Sequence, residues 1–244
     1  MTNHTKGIDR HVPTRSRAPK RLTDTKIIIN EVSEINPMVG FMIHMQYLTG
    51  LRFSDVRETQ TSDFADRFGD RDEFDVVQNK IYNATLTRIK NHETKSQWPI
   101  EKQMSVAKSK ARHTVFITEA VRDLFNEVMD FQEYNNPYFN GHDLFSSASP
   151  RSSGKPYRKE YANKLLKSPE LTQRLRPHGI TNRHLGTHSF RKAPSQELLA
   201  NKVHVRMIMD FLGQTSLEST LKYIESNEEE MRQSVALIGT LAKG

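Results

Sequence analysis

The sequence predicts a mostly helical domain with a small antiparallel β-sheet, an α+β fold. Capping residues and one-sided apolar faces, which are typical of helices, recur on both sides of residues 73–117. Within residues 73–117, short runs of β-branched and aromatic residues indicate strands instead. The chain has 244 residues, which is enough for one large domain with a sizeable core.

Two helices have clear start signals. Asn36 followed by Pro37 predicts a capped helix that ends near Gly50, since proline favours the first helical position and glycine the end. Thr118 predicts the cap of a second helix, with its apolar residues on one side.

The other elements follow from local composition. Residues 74–77 and 115–117 carry the clearest strand signal. Residues 146–156 are rich in serine, glycine and proline and predict a loop. From residue 157 onward the pattern is helical again, with short breaks.

Composition excludes several classes of protein. The chain has no cysteine, which excludes disulfides, thiolate zinc sites and cysteine nucleophiles and fits a reducing cytoplasm. A mean hydropathy of -0.70 and the lack of a long apolar run argue against a membrane span. The first residues have no apolar stretch, so we expect no secretory signal. We therefore expect a cytoplasmic protein.

The charge balance points to a polyanionic partner. The chain holds 36 lysines and arginines against 29 acidic residues, a net charge of +7. Residues 1–22 hold six of the basic residues against Asp9 alone, and prolines interrupt them. We expect a flexible basic arm that contacts DNA backbone, followed by one domain over residues 23–244. A solubilising tail is the alternative.

Metal and nucleotide sites are not indicated. The acidic run within residues 63–75 lacks the ligand spacing of a calcium loop and predicts a solvated loop. No GxxxxGK[ST] phosphate loop is present. His184 and His188 are four residues apart, but no third metal ligand accompanies them. We expect neither a metal nor a cofactor.

Three motifs contain candidate functional residues. TGLRFSD contains Arg52, and THSFRK contains His188 and Arg191, which share one face if the segment is helical. The third motif, LGQTS, is followed by Tyr223. If Ser216 caps a helix there, Tyr223 lies off its apolar face, where a core tyrosine is not expected.

Together these motifs resemble the catalytic domain of the tyrosine recombinase (phage integrase) family. That family carries an arginine in a T-G-L/M-R context, a strand-borne lysine, H-x-x-R, and L-G-H with a tyrosine nine residues after its histidine. Here Arg52 stands in TGLR, and His188 and Arg191 stand in THSFR. Tyr223 follows Gln214 of LGQ by nine residues. The resemblance extends over most of the chain.

The resemblance implies a role for each motif residue. Tyr223 would be the nucleophile that forms a 3′-phosphotyrosyl link with DNA. Arg52 and Arg191 would clamp the scissile phosphate, because guanidinium groups donate paired hydrogen bonds to phosphate oxygens. His188 would be the acid/base helper, and Gln214 an auxiliary phosphate contact.

The lysine that protonates the leaving 5′-hydroxyl is less defined. The family carries it in a β-hairpin, and Lys108 precedes the strand signal at Phe116 by eight residues. Lys108 is the favoured candidate and Lys110 its competitor. Asp55, three residues after Arg52, matches an acidic position that usually supports the site.

The sequence also departs from the family pattern. Gln214 stands where histidine or tryptophan is usual. Pro194 lies where the family continues a helix, so either the helix begins late or Arg191 is displaced. Arg52 comes too early for a preceding core-binding domain, so we expect a short form or a fragment.

The expected function is site-specific recombination by integration, excision, inversion or multimer resolution. A catalytically degenerate DNA-binding regulator on the same fold is the first alternative. A helical protein that binds acidic proteins is the second. The salt dependence of DNA affinity would distinguish it from the other two.

The expected partners are double-stranded DNA, further copies in a tetramer on paired sites, and accessory DNA-bending proteins, with no membrane. Residues 231–241 could dock on a neighbouring copy or pack on their own domain. The candidate contacts to DNA backbone are Arg15, Arg17, Lys20, Arg21, Lys110 and Arg112.

Overall fold

The computed structural model describes residues 16–67, 69–152 and 154–224, and over these residues it confirms the predicted mostly helical fold. The α-helices are α1 (Leu22–Ile35), α2 (Pro37–Thr49), α3 (Phe53–Arg57), α4 (Asn79–Lys90), α5 (Ile100–Ala111), α6 (Glu119–Asn135), α7 (Lys159–Leu166), α8 (Pro169–Leu175), α9 (Ser189–Ala200), α10 (Val205–Phe211) and α11 (Leu217–Leu221). The strands are β1 (Ala65–Asp66), β2 (Gly69–Asp70), β3 (Glu73–Val77) and β4 (Arg112–Phe116). Short 3-10 helices cover Thr61–Asp63, Lys95–Gln97 and Arg176–His178.

Helix α2 lies at the centre of the core. Its side chains are apolar around most of its circumference, and Val39, Met42, Ile43 and Met45 are fully buried. It packs against α1, α3, α6 and α9. Because α2 ends at the TGLR motif, this packing fixes the position of the first site segment.

The predicted helix starts are confirmed. The Asn36 side chain accepts a hydrogen bond from the Val39 N–H at 3.0 Å, which caps α2. The Thr118 hydroxyl accepts from the Val121 N–H at 3.4 Å and caps α6. Each cap satisfies a backbone donor that has no partner within its helix.

Gly50 ends α2, as predicted, in the left-handed conformation with a φ of 65°. A Cβ atom at this position would lie 2.5 Å from Cε1 of Phe211 at the end of α10. Glycine is therefore favoured here for two reasons: it adopts the left-handed turn, and it lets α10 approach the chain just before Arg52.

The strand signal is correct at both ends of residues 73–117 and wrong between them. Strands β3 and β4 pair antiparallel, with Phe74 opposite Val115. Helices α4 and α5 connect the two strands and pack against each other. Their buried residues recur at helical spacing, and they include Thr85 and Ile89 in α4 and Ala107 and Ala111 in α5.

Helix α9 runs through Pro194, so the expectation that the helix begins late is wrong. The helix begins at Ser189, before the proline, and Arg191 is buried in its first turn. Pro194 has no N–H to donate to the Phe190 carbonyl, and the helix continues without this one hydrogen bond. Pro194 is itself buried, so packing holds the helix together at this point.

Ser216 caps α11 by accepting a hydrogen bond from the Ser219 N–H at 3.4 Å. The helix has five residues and ends at Leu221. The apolar face predicted for this helix contains Leu217, Thr220, Leu221 and Ile224. It is wrong for the two leucines, since Leu217 and Leu221 are each 52% exposed, whereas Thr220 is fully buried.

The described part of the basic arm is held against the domain. The Arg17 N–H donates to the His184 carbonyl at 3.0 Å, and Lys192 Nζ donates to the Ser16 carbonyl at 2.9 Å. Arg15 and the expected docking segment 231–241 lie outside the described residues. No helix in the described ranges is both long and apolar enough to cross a membrane.

Candidate active site

One open cavity brings together residues from all three sequence motifs. Arg52, His188, Gln214 and Tyr223 line it. The cavity-facing side of α4 completes the wall and contributes Lys80. Residues far apart in the sequence therefore converge because α2, α9, α10 and α4 meet at this point.

Arg52 lies between α2 and α3 with its side chain only 11% exposed. Its Nη1 donates a hydrogen bond to Gln78 Oε1 and lies 3.8 Å from Asp55 Oδ2. Burial raises the pKa of Asp55, and the charges of Arg52 and Arg191 oppose that rise. Asp55 and Gln78 together hold the Arg52 guanidinium at the cavity wall.

Gln78 joins two parts of the site and had no recognisable sequence signal. It is fully buried between β3 and α4. Its Oε1 accepts from Arg52, while its Nε2 donates to the Leu212 carbonyl at 3.4 Å. The side chain therefore links the Arg52 segment to the end of α10.

Arg191 is fully buried beneath the cavity. Its Nη1 donates to the Gly50 carbonyl, and its Nη2 donates to the Leu212 carbonyl at 2.7 Å. Burial, followed by repulsion from Arg52, lowers the pKa of Arg191 to about 10. Its Nε has no hydrogen-bond partner among the described residues. A buried cation with an unpaired donor is suited to an anionic ligand.

Tyr223 lies just past the end of α11, where its N–H donates to the Thr220 carbonyl at 2.8 Å. Its ring covers the Arg191 guanidinium, with 5.2 Å between Cζ and the ring centroid. The His188 ring lies 6.4 Å away, centroid to centroid, in an edge-to-face arrangement. The tyrosine thus lies between a cation and an imidazole.

His188 is held neutral by its surroundings. Burial, followed by the positive charges of Lys159, Arg191, Arg52 and Lys80, lowers its pKa to about 4. Lys159 Nζ lies 3.2 Å from His188 Nε2, and an ammonium group can only donate. His188 Nε2 therefore accepts in this contact. No sequence motif identified Lys159.

Gln214 presents its amide nitrogen as a donor. Its Oε1 accepts a hydrogen bond from the buried Thr220 hydroxyl at 2.8 Å. Its Nε2 makes no hydrogen bond among the described residues. This arrangement suits donation to an oxygen of an anionic ligand.

The structure does not bring the predicted lysine to the site. Lys108 lies in the last turn of helix α5, not in a β-hairpin, and lines a different cavity with Tyr82 and Met104. Lys80, at the start of α4, lines the site cavity instead. The reason is the α4–α5 insertion, which separates residues 100–111 from the site while β3 delivers Lys80 directly to it.

The predicted backbone contacts lie outside the site cavity. Lys110 and Arg112 line a neighbouring cavity, where Arg112 Nε lies 3.6 Å from Asp75 Oδ2. Arg17 and Lys20 are exposed. Arg21, immediately before α1, is exposed as well.

A comparison with protein families matches residues 28–230 to the phage integrase family. The match covers far more than half of the chain. The chain belongs to this family.

Solved structures of tyrosine recombinases share the fold. The XerA recombinase aligns with a TM-score of 0.59 at 15% identity, over 92% of this chain and 65% of that one. XerH bound to a palindromic difH substrate aligns with a TM-score of 0.59 at 12% identity, over 93% of this chain and 53% of that one. The Tn1549 transposon integrase in complex with transposon right end DNA aligns with a TM-score of 0.59 at 12% identity, over 93% of this chain and 68% of that one.

This phage integrase family member therefore spans about two thirds or less of the XerA and XerH chains. A comparison with curated proteins gives no match.

Lys159 offers a direct check on the electrostatics of the site. Lys159→Gln keeps an N–H donor near His188 and removes a charge that disfavours its protonation. We expect the pKa of His188 to rise above about 4 toward its ordinary 6.5. Histidine ring resonances followed by NMR across a pH titration of the DNA-free protein measure this shift.

The matched control is Lys164→Gln, which removes an exposed lysine from the same helix, α7. It should leave the His188 titration unchanged. Equal titration curves for both variants would contradict the geometry described for Lys159.

Proposed function

We propose that this protein is a site-specific DNA recombinase that cuts and rejoins DNA strands through a 3′-phosphotyrosyl intermediate. The observation that carries the proposal is the single cavity lined by Tyr223, His188, Arg52, Gln214 and Lys80. A tyrosine between a buried arginine with an unpaired Nε and a neutral imidazole is suited to attack on a phosphodiester.

The first step transfers the DNA strand to the protein. The Tyr223 oxygen attacks the scissile phosphorus, the P–O5′ bond breaks, and the strand with the free 5′ end departs. Tyrosine has a pKa near 10, so its proton must be removed as the new bond forms. His188 is the acceptor in this proposal, because its imidazole is neutral at physiological pH, and Nε2 takes the proton once Lys159 has moved away from it.

The departing 5′ oxygen also needs a proton. Lys80 is the donor in this proposal, because it lines the same cavity as Tyr223 and Lys108 does not. Rejoining reverses the step: a 5′-hydroxyl attacks the phosphotyrosine, Tyr223 leaves, and no nucleotide is consumed. Lys80 and His188 then exchange roles, each returning to its starting protonation state.

Arginine and glutamine donors stabilise the charge that develops on the phosphate oxygens. Arg52 and Gln214 line the cavity and donate directly. Arg191 lies under the Tyr223 ring, so movement of that ring toward the DNA uncovers its guanidinium. The unpaired Nε of Arg191 is then available to the phosphate.

Duplex DNA is the proposed substrate. The XerH, Tn1549 integrase and lambda integrase structures that share the fold are complexes with DNA. Exchange of two duplexes requires four cuts, so we propose a tetramer on paired sites, in the cytoplasm, with accessory DNA-bending proteins. Backbone contacts from Arg17, Lys20, Arg21, Lys110 and Arg112 belong to the same proposal.

Covalent trapping tests the nucleophile. A nicked duplex carrying a candidate site from the flanking locus loses a short 5′-ended fragment after cleavage, which traps the intermediate. We expect a slower protein–DNA band on a denaturing gel with the native protein and none with Tyr223→Phe. Tyr82→Phe, at a tyrosine outside the cavity, is the control and should still form the band. DNA binding without a band from the native protein would favour the non-cleaving regulator.

A modified leaving group tests the assignment of the lysine. A bridging 5′ sulfur leaves without protonation, because thiols are more acidic than alcohols. We expect Lys80→Ala to cleave ordinary DNA at least about 100-fold more slowly than the native protein and to regain most of its rate on the sulfur substrate. Lys108→Ala should resemble the native protein on both substrates. If Lys108→Ala instead slows cleavage of ordinary DNA and regains its rate on the sulfur substrate, the assignment of Lys80 is contradicted.

A further inference from the structure

The connection between β3 and β4 is unusually basic. Residues 79–111 contain seven lysines and arginines against two glutamates. These basic residues are Lys80, Arg88, Lys90, Lys95, Lys102, Lys108 and Lys110. All of them except the half-buried Lys95 are exposed. The buried residues of α4 and α5 are uncharged: they are Thr85, Ile89, Gln103, Ala107 and Ala111.

One face of α4 continues the wall of the active-site cavity. Lys80, Ala84 and Arg88 all line the cavity and lie four residues apart, so they form one stripe along the helix. Ile89, about 100° around the helix from Arg88, is buried, and α4 packs against α5. The stripe therefore begins at the proposed proton donor and leads away from the scissile position.

Arg88 has no neutralising partner among the residues that the structure describes. Within residues 16–67, 69–152 and 154–224, it makes no hydrogen bond, ion pair or ring contact. The small Ala84 side chain leaves the stripe open between Lys80 and Arg88. A free guanidinium that faces an open cavity is suited to a phosphate, which it can bind with two parallel hydrogen bonds.

We infer that α4 is a DNA-binding ridge, on which Arg88 binds a backbone phosphate a few nucleotides from the scissile phosphate. This inference rests on the proposed function. Eight residues of helix separate Arg88 from Lys80, a rise of about 12 Å. A DNA strand presents one phosphate per 3.4 Å or so along the duplex axis, so both side chains can contact the same duplex at different phosphates. The contact contributes affinity and positioning and carries no sequence information.

Salt dependence identifies a phosphate contact. Each phosphate that a protein neutralises steepens the fall of log affinity with log salt by about 0.9. We expect Arg88→Gln to reduce this slope by about 0.9 and to weaken binding severalfold at about 0.1 M salt. Fluorescence anisotropy with a labelled duplex of mixed sequence and the full chain measures both quantities. The same duplex should bind Arg88→Lys with nearly the native slope, because the charge is kept.

Lys102→Gln is the matched control, since it removes one charge from α5, where Lys102 Nζ lies 4.4 Å from the centre of the Trp98 ring. This residue does not line the site cavity. The salt dependence of DNA affinity for Lys102→Gln should have nearly the same slope as that of the native protein. Equal changes for Arg88→Gln and Lys102→Gln would show a general charge effect and overturn the inference.

Two further results separate this inference from the proposed function. Lys102→Gln should form the covalent intermediate as the native protein does, whereas Arg88→Gln should need a higher DNA concentration to form it. Unchanged DNA affinity in Arg88→Gln with normal covalent trapping would overturn the role of α4 alone. Failure of the native protein to bind the duplex would overturn both. If Arg88→Gln weakens binding to poly-glutamate and leaves DNA affinity unchanged, α4 binds an acidic protein instead of DNA.

Discussion

The site depends on the burial of one guanidinium group. Arg191 reaches from α9 to the carbonyls of Gly50 and Leu212, which end α2 and α10. These two hydrogen bonds join the three sequence motifs, because Arg52 follows Gly50 and Gln214 follows Leu212. Leaving either carbonyl unpaired in the core costs about 1–3 kcal/mol, so the positions of the site segments are coupled to this side chain.

The same charge sets the electrostatics of the cavity. Arg191, together with Arg52, disfavours further positive charge and contributes to holding His188 neutral. Lys80 and Arg88 add positive charge along the cavity wall. Among the described residues, Asp55 is the acidic side chain that faces the two arginines. The cavity therefore has excess positive charge, and a phosphodiester is the ligand that would balance it.

The sequence could predict the parts of the site that lie in compact motifs. Arg52, His188 and Gln214, which stand in the compact motifs TGLR, HSFR and LGQ, line one cavity, and Arg191 is buried beneath it. Lys80 was missed, since the α4–α5 insertion moves the second strand more than thirty residues along the chain and the expected spacing pointed to Lys108. Gln78 and Lys159 act through tertiary contacts, for which local sequence provides no signal.

The most direct test of the coupling through Arg191 is the stability of Arg191→Lys without DNA. Lysine cannot reproduce both hydrogen bonds of the guanidinium. Chemical denaturation should show a loss of about 1.5–3 kcal/mol in the free energy of unfolding. Arg174→Lys, in a partly exposed pair with Glu31 at 3.2 Å, should lose less than about 1 kcal/mol. Equal and small losses for the two variants would contradict the account.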